Sequence, residues 1–250
     1  MPSRGTIWED QRRERAAAGA AVGPSLLLPD PESLLAGENV QALLVPKASS
    51  PYIDDLTGNL VDGDWTTPPS AVRDYFDNGQ MWAWGAAEAT TNIGHLQITG
   101  GMCVAALCAV RTVSAGDGIA AMRGDLASEI EDENALWSMT VPATNTLRYV
   151  AEYGAGLNAL KDWTSPGDFE YLHDLGVRFV VMNRTASGDV TLYVNGVEIE
   201  TVSLTAPTGG SLATLCVGAS GPWRMLLVED AFADASRLAK IHAAVGLEVA

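Results

Sequence analysis

Positive charge, histidine and cysteine are all scarce in this chain. There are 15 Lys and Arg residues against 31 Asp and Glu, a formal net charge of -16. That imbalance excludes a broad electrostatic grip on nucleic acid or anionic lipid, which depends on clustered cations. Only 3 histidines are present, His95, His173 and His242. No G-x-S-x-G elbow accompanies them, so nucleophilic hydrolysis has little to work with. Also missing are a phosphate-cradling glycine loop ending in Lys-Ser/Thr and any Cys/His spacing suited to zinc. The 3 cysteines are an odd number. Cys103 and Cys108 stand at odd spacing in one expected strand and so point to opposite faces, which reads as buried free thiols in a chain made in a reducing cytosol. Long apolar runs are absent too: AAAGAAVGPSLLL is interrupted by Gly and Pro and is too short to span a membrane. Asn183-Arg184-Thr185 matches a glycosylation acceptor, but no convincing secretory signal precedes it.

What is present is ample core material. Hydrophobic residues make up 47% of 250 positions, enough for one large all-β domain or two small ones. The N-terminal part differs from the rest. Thr6-Ile7-Trp8-Glu9 fits a capping box, and ion pairs at helical spacing lead into an alanine run, so a helix is expected to about Ala21. After Gly23-Pro24, leucine clusters alternate with Pro and Gly. Residues 1–48 therefore read as an arm, either packed as an extension on its own domain or filling grooves on neighbouring subunits with Ile7, Trp8, Leu26, Leu27, Leu28, Leu34, Leu35, Leu43 and Leu44.

From residue 49 to 250 the punctuation is that of an all-β domain. Eleven short strands are expected: 81–85, 95–98, 102–113, 118–122, 135–141, 146–153, 177–183, 190–195, 198–204, 213–217 and 223–229. The clearest signal is GDVTLYVNGVEIETV, in which Asn195-Gly196 supplies a two-residue turn. Uninterrupted register sets Val194 opposite Val197, Leu192 opposite Ile199 and Val190 opposite Thr201, leaving Thr191, Tyr193, Glu198 and Glu200 on the other face. One helix closes the chain, capped by Asp234, with Leu238, Ile241 and Val245 on one face and Gly246 stopping it. Many short strands around one core predict two packed sheets.

The segment LGVRFVVMNRTASGDVTLYVNGVEIETVSLTAPTGGSLATLCVGAS resembles the laminin-G-like or concanavalin A-like jelly roll. FADASRLAKIHAAV is similar to the short helix that often follows, and YIDDLTGNLVDGDW to the acidic opening segment of that family. The likeness spans roughly residues 50–246 and is firmest over 175–246. It implies two antiparallel sheets, one concave, in a family that includes lectins, glucanases and assembly modules of phage particles.

Each activity implied by the family has its candidate residues. Glucanase chemistry needs an acid and a nucleophile flanking one bond, but Glu129, Glu131 and Glu133 lie in a run that reads as an acidic solvated loop. Calcium is the cofactor best suited to Asp54, Asp55, Asp62 and Asp64, although an Asx-rich turn series accounts for them without metal. Glycan binding calls for aromatic platforms: Trp82 and Trp84 alternate along one strand, and Trp163 and Trp223 lie near loops. A cytosol-made chain, a jelly roll and a leucine-patched arm together predict a non-enzymatic virion structural protein of a bacteriophage, made in the host cytoplasm. In this reading the arm anchors it to major capsid or tail subunits and to copies of itself. The alternative is a lectin-like module that recognises a host surface glycan.

Overall fold

The computed structural model describes residues 30–37, 39–46, 53–59, 71–74, 81–84, 95–97, 100–109, 117–123, 135–143, 146–151, 159–164, 177–204, 212–217 and 223–246. They are mostly β. In chain order the strands are β1 (Val40–Pro46), β2 (Ile53–Asp55), β3 (Ala71–Asp74), β4 (Met81–Trp84), β5 (His95–Gln97), β6 (Met102–Ala109), β7 (Asp117–Arg123) and β8 (Ala135–Ala143). They continue with β9 (Thr146–Ala151), β10 (Ala159–Thr164), β11 (Val177–Arg184), β12 (Asp189–Val194), β13 (Val197–Ser203), β14 (Leu212–Val217) and β15 (Trp223–Glu229). A 3-10 turn (Pro31–Ala36) precedes them and helix α1 (Ala235–Ala243) follows. Two antiparallel sheets result. The larger runs β13-β12-β11-β6-β15-β1-β2, with the β3-β4 hairpin joined to β15; the smaller runs β10-β9-β8-β7-β14-β5.

The middle of the larger sheet is buried on both sides, and its sequence says why. In β6, Met102, Val104 and Ala106 face one way and Cys103, Ala105 and Leu107 the other, and all are buried. A strand covered on both faces reads as a continuous apolar run rather than an alternation, as FVVM in β11 and MLLV in β15 also do. One cover is α1. Leu238, Ile241 and Val245 pack with Leu34, Leu43, Phe179, Val181, Tyr193 and Leu227 in a single cluster. The opposite face meets the smaller sheet, where Arg184 of β11 donates to the hydroxyl of Tyr149 of β9. The helix begins as expected, the Asp234 carboxylate accepting from Arg237 N at 2.8 Å. It ends at Ala243, and the turn that follows closes on Gly246, whose φ of 74° suits glycine.

The arm expected over residues 1–48 is corrected at its C-terminal end. β1 lies between β15 and β2, with Leu43 opposite Leu227 and Leu44 opposite Leu226. Leu34, Leu43 and Leu44 are fully buried in their own subunit, so they are not available to a neighbour. The preceding turn is tied down as well: Asp30 N donates to Ala244 O at 2.7 Å, and Arg237 Nη2 donates to Leu34 O at 2.8 Å. Of the other expected arm contacts, Leu35 is 38% exposed, while Ile7, Trp8, Leu26, Leu27 and Leu28 lie outside the described residues.

The Asn195-Gly196 turn forms, with φ of 52° and 87° at its two residues. Its register holds for the first two pairs only. Val194 stands opposite Val197 and Tyr193 opposite Glu198, but a bulge then shifts the ladder, so Leu192 faces Glu200 and Val190 faces Val202. An extra residue in one strand turns every later side chain to the other face. Glu200 therefore shares a face with Leu192, and the expected apolar pairing of Leu192 with Ile199 is lost. Thr191 and Tyr193 on the other face are both buried, Tyr193 within the cluster under α1.

Candidate functional site

Two of the four tryptophans singled out for glycan binding, Trp82 and Trp84, share one face of a strand, and a third, Trp223, lies on the strand beside it. β3 pairs with β4 so that Arg73 lies opposite Trp82 and Ala71 opposite Trp84. β4 in turn meets β15 with Ala83 opposite Trp223. Positions 82 and 84 thus share one face of β4, with position 73 of β3 beside them, whereas position 223, paired with 83, lies on the opposite face. This β3-β4-β15 corner is the candidate site. Its β3 and β4 lie off the main path of the larger sheet.

Trp163 is elsewhere and is no platform. It lies on β10, the edge of the smaller sheet, and is fully buried. Its indole Nε1 donates to Glu200 Oε2 at 2.9 Å, across the gap to β13, the edge of the larger sheet. Lys161 Nζ reaches the same oxygen at 2.8 Å and lies 5.9 Å from the centre of the tryptophan ring. The bulge in β13 makes this contact, because it delivers Glu200 to the face that looks toward β10. On the opposite face of β9 and β10, Arg148 and Asp162 pair at 2.7 Å.

Within the acidic opening segment, residues 56–59 form a turn after β2. Asp55 Oδ1 accepts from Leu43 N at 3.0 Å and Thr57 N at 3.2 Å, and its Oδ2 accepts from Thr57 Oγ1 at 2.6 Å. Asn59 Nδ2 donates to Val40 O and Gln41 O, both at 3.3 Å. These oxygens clip β2 onto β1. Among the described residues no group of three or more His, Cys, Asp or Glu could hold a metal ion. Asp54 is half-buried, whereas Asp62, Asp64 and the acidic run with Glu129, Glu131 and Glu133 lie outside the described residues.

Of the nucleophile and base candidates, Cys103 and His242 sit in the core. Burial pushes the Cys103 thiol well above its ordinary value, with Glu229 adding in the same direction and Arg237 opposing it, so the thiolate is disfavoured. His242 is buried within α1; its Nδ1 contacts Leu238 O at 2.8 Å, and the rings of Phe179 and Tyr193 meet it edge-on. Burial lowers its affinity for a proton, offset in part by that backbone hydrogen bond. Asn183, the glycosylation-pattern residue, is fully buried, its amide donating to Ala233 O at 2.8 Å and accepting from Ala233 N at 2.9 Å. It braces the loop that enters α1. Missed at the sequence level were Arg184 and Tyr149, which touch between the sheets. Nothing local marks such a pair, because one residue ends β11 and the other stands mid-strand in β9.

No family model matches the chain, and no curated protein sequence matches it. Solved structures do. A structure of botulinum neurotoxin type C, whose cell entry is described as dependent upon interaction with two ganglioside molecules, is similar with a TM-score of 0.55 and 11% identity, covering 83% of this chain and 51% of that one. The binding domain of botulinum neurotoxin DC in complex with rat synaptotagmin II is similar with a TM-score of 0.54 and 10% identity, covering 82% and 52%. The binding domain of Paraclostridial Mosquitocidal Protein 1 is similar with a TM-score of 0.55 and 11% identity, covering 84% and 52%. This chain spans about half the length of these neighbours. At such identity the likeness establishes a shared β fold and leaves activity to the site itself.

Proposed function

We propose that the two sheets form a laminin-G-like jelly-roll sandwich and that the chain is a non-catalytic binding domain recognising carbohydrate through the β3-β4-β15 corner. The observation that carries this reading is the register that sets Trp82 and Trp84 on one face of β4, with Arg73 opposite Trp82. Aromatic faces bind the apolar faces of sugar rings, and a neighbouring guanidinium supplies hydrogen bonds to hydroxyl or carboxylate oxygens. The fold likeness to domains described with ganglioside and protein receptors supports a binding role. The alternative of a phage virion module draws on the N-terminal segment. Leu34, Leu43 and Leu44 are already engaged at home, so it has lost those contacts.

The test is a glycan array on the purified chain, followed by calorimetry on the best neutral and acidic oligosaccharides. Trp82→Ala and Trp84→Ala should each weaken binding by about tenfold or more. Trp163→Phe should leave it unchanged, since that ring is spent on the contact with Glu200. An array with no selective binder, or binding indifferent to both corner substitutions, rules the site out.

A further inference from the structure

Arg184 ends β11 on the face that carries Val180 and Met182, and it is 3% exposed. Its Nη1 donates to the Tyr149 hydroxyl at 3.3 Å and its Nη2 to Gly100 O at 3.1 Å. The third nitrogen, Nε, is buried and has no acceptor. Tyr149 is fully buried, and its oxygen receives the guanidinium hydrogen, so the hydroxyl's own hydrogen also lacks an acceptor among the described residues. No carboxylate of the described residues reaches this guanidinium. Glu200 is held by Trp163 and Lys161, Asp162 by Arg148, Glu229 by Arg237, and Asp189 accepts from Ser203.

A guanidinium does not shed its proton at any pH the protein survives, so the positive charge stays between the sheets. An unpaired charge there is among the costliest features a core can contain. A water molecule can accept a hydrogen bond but brings no countercharge. Two donors with no acceptor, one from each sheet and both attached to buried side chains, ask for a partner that is negative and small. The carbonyl that holds Nη2 belongs to Gly100, which is half-buried, so the guanidinium lies just beneath the surface.

We propose that Arg184 and Tyr149 form an anion site at the end of the layer between the sheets, occupied by a small monovalent anion of the size of chloride or formate. The anion accepts from Arg184 Nε and from the Tyr149 hydroxyl and neutralises the buried charge. It cross-links β9 of one sheet to β11 of the other, which makes it a structural ligand separate from the tryptophan corner.

The experiment measures thermal unfolding of the full chain at constant ionic strength while bulky gluconate is replaced by chloride or by formate. The wild type should gain about 5 °C saturably as either anion approaches about 100 times its Kd. Arg184→Met should abolish the response. Because that variant can fail to fold, Tyr149→Phe serves as the second: it keeps the ring and should raise the half-saturating anion concentration about tenfold. Crystals grown in bromide should show an anomalous peak beside Arg184 Nε. A melting temperature indifferent to the exchange, or an identical response in wild type and Tyr149→Phe, overturns the proposal in favour of a water-filled site.

Discussion

His242 is a titratable side chain placed where a proton is unwelcome. Its ring is enclosed by Phe179 and Tyr193, Nδ1 is satisfied by Leu238 O, and Nε2 is buried without a partner. Protonation would put an unpaired N–H and a positive charge into that apolar cluster, which is why burial lowers the pKa from its ordinary 6.5. The sign of the consequence follows. Above pH 6.5 the ring is neutral in both folded and unfolded chains, and its full contribution to stability is present. As pH falls below 6.5 the unfolded chain takes up the proton first, so stability declines until the lowered folded-state pKa is passed. Urea unfolding between pH 7 and 5 should show a decline that His242→Phe reduces, since phenylalanine fills the space and does not titrate. Slopes against pH are compared rather than absolute stabilities, which cancels the constant loss of the Leu238 hydrogen bond. Equal slopes in the two proteins would falsify the assignment.

At the scale of elements, the exposed flank of the molecule is where two sheet edges, β10 and β13, are pinned together by one carboxylate. Unprotected edges invite pairing with other chains, and a bulge with an inward-turned charge is a known way to blunt them. Glu200→Leu should cost about 1–3 kcal/mol in chemical denaturation, because it strands the buried indole N–H of Trp163. Glu200→Gln keeps an acceptor and should cost much less, the Lys161 ion pair being solvent-screened and worth little. Equal losses from both would mean that charge, not the hydrogen bond, holds the edges. This contact also marks how far the sequence could be read. Asn195-Gly196 announces its turn because two positive φ angles favour those residue types locally. The bulge at Ile199 leaves no comparable mark, so which face Glu200 adopts depends on β10 across the gap. β3 and β10 escaped notice for a related reason: AVRD and ALKDWT are short and mixed, and they become strands through their partners. The same applies to the candidate site. Alternation puts Trp82 and Trp84 on one face, but only the pairing of β3 with β4 sets Arg73 opposite Trp82.

On the scale of the whole molecule, the two ends of the described chain are stapled to one another. The 3-10 turn hydrogen-bonds to the end of α1, Arg237 links Leu34 O to Glu229, and β1 covers the flank of β15. The leucine-rich segment looked like an arm because it shows neither period-two alternation nor helical spacing. A strand buried on both faces has no polar face to alternate with, so β1 carries the pattern of the core it joins. A segment that serves neighbouring subunits would be dispensable to its own fold, whereas one that supplies an interior strand is not. Deleting residues 1–48 removes Leu34, Leu43 and Leu44 from the interior and strips β15 of its ladder partner on one side. Truncating a single buried leucine to alanine already costs about 2–5 kcal/mol, a large part of a typical domain's stability of about 5–15 kcal/mol. The truncated chain should therefore lack a cooperative thermal transition by circular dichroism and be degraded rapidly by protease. Leu43→Ala should lower the denaturation midpoint without abolishing the transition. A truncated chain that melts cooperatively near the wild-type temperature would return this segment to the role of an attachment, and the binding domain would then begin after it.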